Sequence, residues 1–356
     1  MWRSFVRILH TSDFHLAEHK PETLSSLEEV LKVAKEQSID ILTIAGDLFD
    51  SNEDAEALRA LLRQKFSTNN FEIIVIPGNH DSEVYKGNLD FGSNLKVATK
   101  EPYELFVKDK TTIVALPFTS TLDEGILSKL AKESNREETT ILLIHCTLDI
   151  GFSVSDFGEE AAYRYCPVSK ATLSRLGFDY ILAGHFHRTT TILQLGEKGV
   201  FVYPGSPVSH SLKEVGKRQV ILVDTQKKDW RSIPLQSFYY DTYHVTATPG
   251  REDSAIGNIQ KWVDERCSDK CSLKVIVDGF IEKDEHLFKH DLEKVADRPY
   301  IKIEHLYRNV KEVFEHPLYV RFKEKLIKKN LEHEKQIDAI VVNAMARLLK
   351  SRELGA

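Results

Sequence analysis

An apolar run that ends abruptly in polar residues is the feature that most constrains this chain. Residues Phe71–Ile76 are typical of a buried strand, and Pro77-Gly78-Asn79-His80-Asp81 follows directly. An amide, an imidazole and a carboxylate in a row are poor core material, because each needs a hydrogen-bonding partner when buried. Taken alone, the phrase also fits an ordinary loop with a satisfied asparagine. In an open α/β sheet, however, ligands bind beyond the carboxyl ends of strands.

Strands and helices alternate through the first part of the chain. The pattern predicts strands at Val6–His10, Ile39–Ala45 and Phe71–Ile76, with helices from Pro21 and over Glu53–Phe66 between them. Such alternation favours parallel strands joined by right-handed crossovers. Further strands are expected at Thr112–Leu116, Thr140–Ile144, Tyr180–Ala183, Val200–Ser206 and Arg218–Val223.

Composition limits the class of protein. A length of 356 residues predicts two or three domains, and 42% hydrophobic with 29% charged residues is typical of a soluble globular protein. The net charge of −6 is not that of a nucleic-acid-binding protein, so any contact with DNA must come from local basic patches and bound metal. Neither a membrane span nor a signal-peptide core is apparent, and the four scattered cysteines fit a reducing cytoplasm better than a disulfide framework.

Composition changes near residue 238, which suggests a second structural region. From Thr242 to about Leu306 the pattern predicts a small α+β module, and two helices follow at about Leu318–Lys329 and Glu332–Lys350. We therefore expect domains at 1–238, 239–310 and 311–356. The terminal helices carry apolar faces and cannot bury much surface as an isolated pair, so they pack on their own chain or serve another protein.

Five predicted strands end in loops that carry metal-ligating or proton-transferring side chains. These residues are Asp13 and His15; Asp47 and Asp50; Asn79 and His80; His145; and His185 and His187. A single histidine after a strand is usually a satisfied structural residue. Five such loops at the same kind of position indicate one functional site.

The motifs D-x-H, G-D-x-x-D, G-N-H-D, H and G-H-x-H resemble those of the calcineurin-like metallophosphoesterase superfamily. More narrowly, Gly46–Asp50, Gly184–His187, Tyr203–Pro207 and the tail from His316 resemble SbcD-type DNA repair nucleases, whereas residues 240–308 match mainly in position and pattern. The resemblance implies an α/β fold: a four-layer αββα metallophosphoesterase sandwich, followed by a small α+β capping and DNA-binding domain and a C-terminal helix pair.

The resemblance also implies a site with two divalent metal ions. One ion would be held by Asp13, His15, Asp47 and His187, and the other by Asn79, His145 and His185, with Asp47 bridging. His80 would donate a proton to the leaving oxygen. Asp50 resembles the carboxylate that pairs with this histidine, although a solvated loop carboxylate is the alternative. Oxygen and imidazole ligands suit Mn, Fe or Zn rather than Ca, and the family implies Mn²⁺.

The implied activity is that of a Mn-dependent DNA exonuclease and endonuclease acting on double-strand ends and hairpins. The implied partners are an SbcC-like coiled-coil ATPase docked by residues 311–356 and a second copy of the chain, in the cytoplasm. A small-substrate phosphodiesterase or phosphatase is the first alternative. Ser51 and Asp81 stand where protein phosphatases of the superfamily carry Arg and Glu, which argues against the phosphatase. A metal-free scaffold is the second alternative, and seven intact ligands argue against it.

Overall fold

The computed structural model describes residues 5–87, 90–134, 138–149, 165–188, 190–329 and 333–353. The chain divides into two compact units, Met1–Tyr239 and Tyr240–Ala356. The expected assignment of separate roles to 1–238, 239–310 and 311–356 stays a prediction. Throughout the described ranges, every helix is too short or too polar to cross a lipid bilayer.

The first unit alternates strands with helices over most of its length. Its helices are α1 (Pro21–Glu36), α2 (Asn52–Ser67), α3 (Glu124–Glu133) and α4 (Lys170–Leu176). Its strands are β1 (Arg7–Thr11), β2 (Ile41–Ala45), β3 (Glu72–Ile76), β4 (Leu95–Val97), β5 (Glu104–Lys108), β6 (Thr111–Ala115), β7 (Thr139–His145), β8 (Thr147–Asp149), β9 (Pro167–Ser169), β10 (Tyr180–Gly184), β11 (Thr191–Leu195), β12 (Gly199–Tyr203), β13 (Gln219–Asp224) and β14 (Asp229–Pro234).

Two six-stranded sheets form this unit. Their strand orders are β14-β13-β1-β2-β3-β4 and β11-β12-β10-β7-β6-β5. Strands β1 to β4 pair in parallel, as do β6 with β7, β7 with β10 and β10 with β12. The outer strands pair in antiparallel fashion: β13 with β1 and with β14, β5 with β6, and β11 with β12. The prediction of parallel strands is therefore confirmed for the centre of both sheets.

Alternate residues of the buried strands face opposite layers. Ile8 in β1 faces the other sheet, whereas its neighbour Leu9 packs with the helices, which is the period-two pattern of a strand buried on both faces. The core between the sheets joins Ile41 and Ile74 to Ile141 and Leu182. Helices α1 and α2 cover one outer face, and α3 and α4 cover the other. The predicted four-layer αββα sandwich is confirmed.

A buried histidine connects the two sheets near the site. His10 in β1 lies 3.1 Å through Nδ1 from Thr43 Oγ1 and 3.2 Å through Nε2 from the carbonyl oxygen of Ala183 in β10. Burial lowers the pKa of His10 to about 3, so its ring is neutral at physiological pH. His10 is therefore a hydrogen-bonded tie between the strands from which the site loops leave.

The second unit is built on a three-stranded sheet, β15-β16-β17. The strands are β15 (Tyr239–Ala247), β16 (Cys271–Ile281) and β17 (Ile301–Asn309), and the helices are α5 (Glu252–Asp264), α6 (Glu285–Val295), α7 (Lys311–Phe314), α8 (Pro317–Lys329) and α9 (Glu334–Glu353). Helices α5 and α6 bury Ile259 and Phe288. Phe280 of β16 shares a hydrophobic cluster with Val313, Tyr319 and Val342 of α7, α8 and α9. The terminal helices therefore pack on their own sheet.

Several short strands were not predicted from the sequence. Strands β4, β8 and β9 have only three residues each, and the exposed strand β14 contains Asp229, Arg231 and Ser232. Such segments lack the long apolar run or clear alternation that marks a strand. Strands β4 and β14 extend the edges of the first sheet, and β8 and β9 pair with each other in a separate two-stranded sheet, so the order of the central parallel strands is unchanged.

We expect Gly184→Ala to destabilise the first unit. A Cβ at Gly184 would lie 1.9 Å from Ala45 O and 2.8 Å from Ser12 Cβ, where the two sheets approach each other. Overpacking of this kind typically costs about 1–3 kcal/mol in the free energy of unfolding. Denaturant unfolding measures it, with Gly257→Ala as the control. Gly257 is an exposed residue of helix α5 with open space around its Cβ position, so that change should stabilise by about 0.5–1 kcal/mol. Equal effects of the two variants would contradict this reading.

Candidate metal centre

The predicted site residues lie in loops that leave β1, β2, β3, β7 and β10. Four of them have left-handed backbone conformations: φ is 56° at Asp13, 44° at His15, 50° at Asp47 and 113° at His185. Such conformations are unfavourable for residues other than glycine and persist only where the surroundings impose them. Here the loops hold each other, because Asp13 N–H donates to Gly46 O at 3.1 Å and His15 N–H donates to Asp47 O at 3.0 Å.

The structure brings Asp13, His15 and His187 together. One ligand atom from each lies within 4.8 Å of the other two, and all three residues are buried. Nε2 of His15 and Nε2 of His187 are 3.2 Å apart, and Asp13 Oδ1 is 3.9 Å from His187 Nε2. Three residues predicted for one metal therefore share a single small volume.

Asp47 lies next to a second group that contains His145. Asp47 Oδ2 is 3.3 Å from His145 Nε2 and 3.9 Å from His15 Nε2. His145 Nδ1 donates to the carbonyl oxygen of Ala45 at 2.9 Å, which leaves Nε2 as the ring nitrogen directed at Asp47. Asn79 Oδ1 is 2.9 Å from the same Nε2. Asp47 thus stands between the two predicted metal positions.

His185 completes the convergence from β10. Its backbone N–H donates to both carboxylate oxygens of Asp13, at 3.1 and 3.0 Å, and its ring centroid lies 5.2 Å from that of His145. All seven predicted ligands therefore meet at the carboxyl ends of the strands: His145 is the last residue of β7, and the others lie in the loops that follow their strands. Their division between two ions stays a prediction.

The chemistry of this donor set fits divalent metal ions. Among the described residues, no hydrogen bond satisfies Asp47 Oδ2, which is fully buried. His15 Nδ1 and His187 Nδ1 each face a carboxylate, of Asp50 and Glu214 respectively, at 3.2 and 3.3 Å. Because carboxylates only accept, both Nδ1 atoms donate, so in the neutral form each ring has its Nε2 lone pair on the side that faces the other ring. A cation satisfies the lone pairs and the carboxylate together, and this oxygen and imidazole set suits Mn, Fe or Zn.

Electrostatics within the cluster keep its carboxylate ionised. Burial alone would raise the pKa of Asp47, but His145, His15 and His80 hold that pKa far below its usual value. Burial would likewise lower the pKa of His145, whereas the charge of Asp47 raises it to about 9. The site is therefore an anionic pocket that stabilises added positive charge.

Asp50 and His80 occupy the edge of the cluster. Asp50 Oδ1 lies 3.2 Å from His15 Nδ1, and Asp50 Oδ2 accepts from Lys20 Nζ at 2.9 Å. The hydrogen bond from His15 lowers the pKa of Asp50 well below its usual value. A ring nitrogen of His80 lies within 4.8 Å of a ring nitrogen of His15 and of a carboxylate oxygen of Asp50. The backbone N–H of His80 donates to Asp47 Oδ1 at 2.9 Å. The pairing of Asp50 with His80 stays a prediction.

Sequence analysis missed two carboxylates that support the ligands. Asp81 is fully buried and accepts from Gly78 N–H at 2.7 Å, from Leu48 N–H at 2.8 Å and from Phe49 N–H at 3.3 Å, so it ties the Asp47 loop to the His80 loop. Its place in the G-N-H-D phrase was a usable signal. Glu214, which faces His187, is separated from it by 27 residues and belongs to no motif that was recognised.

Comparison with known proteins identifies the family of this chain. The pattern that defines the family described as calcineurin-like phosphoesterase matches residues 6–189, more than half of the chain. The chain belongs to the calcineurin-like phosphoesterase family. This membership confirms the sequence-based expectation at superfamily level, and the cluster of carboxylates and imidazoles described above fits a phosphoesterase of this family.

Similar proteins include the uncharacterized metallophosphoesterase YhaO of Bacillus subtilis (strain 168), which is 27% identical over 239 residues. That match covers 63% of this chain and 55% of the relative, so the phosphoesterase aligns with about half of it. A dimetal phosphatase from Danio rerio aligns over 64% of this chain and 98% of its own, with 9% identity and a TM-score of 0.44. GAP50, described as the anchor in the inner membrane complex of Plasmodium, aligns over 66% and 90%, with 13% identity and a TM-score of 0.42.

We expect Asp47→Asn to weaken Mn²⁺ binding by at least about 100-fold. The substitution removes a buried charge that, at about 4 Å from an ion, contributes roughly 4 kcal/mol per unit charge at an effective dielectric near 20. Calorimetric titration of metal-stripped protein measures the affinity. Asp109→Asn is the matched control, because Asp109 has nearly the same φ of 51° but lies exposed in a turn. An Asp47→Asn protein that binds Mn²⁺ like the control would contradict the assignment.

Proposed function

We propose that the phosphoesterase is a DNA nuclease, the phosphodiesterase subunit of an SbcCD-like double-strand-break repair complex. The observation that carries the hydrolytic part is the convergence of carboxylates and imidazoles from five strand-end loops, with His80 beside them. The proposal that DNA is the substrate rests on two features. The motifs at Gly46–Asp50, Gly184–His187 and Tyr203–Pro207 resemble those of SbcD-type nucleases, and the chain has a second unit of more than a hundred residues. The same resemblance extends the proposal to a homodimer, with Mn²⁺ as the metal.

The residues that would hold two divalent ions are the seven predicted ligands. Bound ions would supply an activated water and withdraw charge from the phosphoryl oxygens of the substrate. The protein supplies their position: Asp13 and Asp47 bring negative charge into a buried pocket, and the Nδ1–H of His145 is engaged by Ala45 O. The pocket thus fixes its donors before substrate arrives, which lowers the reorganisation needed during the reaction.

His80 is the proposed proton donor. Its backbone N–H is tied to Asp47 Oδ1, its ring centroid lies 4.7 Å from that of His15, and the residue is exposed at the mouth of the cluster. When the P–O bond to the leaving sugar oxygen breaks, that oxygen needs a proton, which in this proposal comes from His80. A general acid in this role is typically worth about 10²–10⁴-fold in rate.

We expect His80→Ala to abolish degradation of blunt duplex and hairpin DNA in Mn²⁺, with a loss of about 10²–10⁴-fold. Metal content, measured on the same preparation, should stay at the wild-type value because His80 is not among the predicted ligands. The control is His19→Ala, since His19 is an exposed histidine of the same unit. A His80→Ala protein that retains full nuclease activity would contradict the assigned role.

The substrate class is tested by comparing duplex DNA with a small chromogenic phosphodiester, with and without the ATPase partner. Hydrolysis of the small diester alone, even with the partner present, would replace the nuclease proposal by a small-substrate phosphodiesterase. Degradation of duplex ends or hairpins that needs His80 would support the nuclease.

The proposed contact with an SbcC-like coiled-coil ATPase involves α9. Ile340, Ala344 and Leu348 recur every four residues and are all exposed on this helix, with Ile340 67% exposed, while Val342 and Ala346 pack on the unit's own cluster. Residues four apart lie on one face of a helix, so these side chains form a narrow apolar stripe. A stripe of this kind suits an apolar helical partner.

We expect the double variant Ile340→Glu/Leu348→Glu to weaken binding of the ATPase partner by at least about tenfold, because charges would enter an apolar interface at a cost above 1.4 kcal/mol. Pull-down titration measures binding, and hydrolysis of the small diester should be unchanged. Leu287→Glu is the control, as Leu287 is an equally exposed leucine on α6. Equal binding by variant and control would mean that the stripe is not the docking surface.

A further inference from the structure

One carboxylate lies behind a predicted metal ligand and has no assigned role. Glu214 is 1% exposed, and its Oε1 is 3.3 Å from His187 Nδ1. We propose that Glu214 is a positioning residue that holds His187 in the tautomer and orientation needed to bind metal through Nε2. The proposal rests on His187 as a metal ligand and not on the nature of the substrate.

Glu214 is fixed by its other contacts. Its Oε2 accepts from His210 N–H at 2.8 Å and lies 3.5 Å from Ser206 Oγ, and Ser209 Oγ donates to the backbone oxygen of Glu214 at 2.7 Å. A buried carboxylate is tolerated only when such bonds satisfy it. Oε2 is therefore engaged on its own side, and Oε1 is left directed at the imidazole of His187.

This contact sets the tautomer of the neutral His187 ring. Nδ1 must donate to Oε1, because a carboxylate cannot donate, so the proton of the neutral ring resides on Nδ1. The Nε2 lone pair then faces His15 Nε2 at 3.2 Å and Asp13 Oδ1 at 3.9 Å. Carboxylates that accept from the outer nitrogen of a ligating histidine fix its tautomer in the same way at other metal sites.

The backbone around the pair is tied to one buried guanidinium. Arg218 donates through Nη2 to the carbonyl oxygen of His187 and through Nε to Ser206 O at 2.9 Å, while Nη1 lies 3.4 Å from Glu214 O. Arg218 is 3% exposed, so these bonds are sheltered from water. The segment that contains His187 and the segment that contains Glu214 are therefore held together by the same buried Arg218 side chain.

Asp50 contacts His15 Nδ1 in the same way that Glu214 contacts His187 Nδ1, but Asp50 is more exposed to solvent. Its side chain is 28% exposed, and one of its oxygens is taken by Lys20. The two facing imidazoles thus each have a carboxylate behind them, and the drier of the two is Glu214. For this reason we expect loss of the Glu214 charge to have a clear effect on metal affinity.

The test is Glu214→Gln in the full chain, titrated with Mn²⁺ after metal removal. If the glutamine oxygen accepts from His210 N–H, its amide group meets His187 Nδ1 as a donor and favours the wrong tautomer. We expect the affinity for one of the two ions to fall by about 10–100-fold, with the other unchanged. Glu252→Gln is the matched control, because Glu252 is a 2% exposed glutamate that also accepts backbone N–H groups, in the second unit.

A second measurement keeps the proposal testable if Glu214→Gln does not fold. Nitrogen-15 spectra of histidine-labelled wild-type protein loaded with Zn²⁺ should show His187 protonated at Nδ1 and metal-bound at Nε2. A proton on Nε2, or a folded Glu214→Gln protein with wild-type Mn²⁺ affinity at both positions, would overturn the proposal. If Glu214→Gln shows the expected loss of Mn²⁺ affinity but the wild-type protein does not cleave DNA, the nuclease assignment is wrong and the role of Glu214 stands.

Discussion

Two imidazole nitrogens lie 3.2 Å apart beside the buried Asp47 Oδ2, for which the described residues provide no hydrogen bond, and this group places the strongest demand on the structure. Such an arrangement favours a cation among the atoms, since a buried negative charge is costly unless it is compensated. The left-handed residues Asp13, His15 and Asp47 add backbone strain at the same place. The surrounding sandwich is what holds these groups together.

The sandwich meets this demand by rigidity at the strand ends. His10 bridges β1 and β10, Gly184 allows the backbone of β10 to approach Ala45, and Asp81 accepts amide protons from both neighbouring loops. Each device fixes a different loop, and none uses a flexible surface side chain. A site held by buried strands and short loops is more precise than one built on long loops, which suits a reaction that needs fixed donors.

Most of the fold was predictable because its signals are local. Apolar runs such as Ile39–Ala45 end in Gly and Asp, and this pattern located both the parallel strands and the ligands that follow them. Glu214 was not predictable in this way, because its relation to His187 depends on how a loop folds back across 27 residues. Likewise, the contact of Asp50 with His15 was not predicted, because it depends on how two separate loops lie against each other. Supporting contacts are tertiary, and spacing along the chain does not record them.

The position of β1 within the first sheet has a consequence for biosynthesis. β1 lies between β2, its near neighbour in sequence, and β13, where Arg7 is opposite Asp224. More than two hundred residues must therefore be synthesised after β1 before β13 can pair with it. Closing so long a loop slows folding. Until then one edge of β1 is open to pairing with other chains. Nascent phosphoesterase thus depends on timely synthesis of the β13–β14 hairpin, the last part of the catalytic unit to emerge.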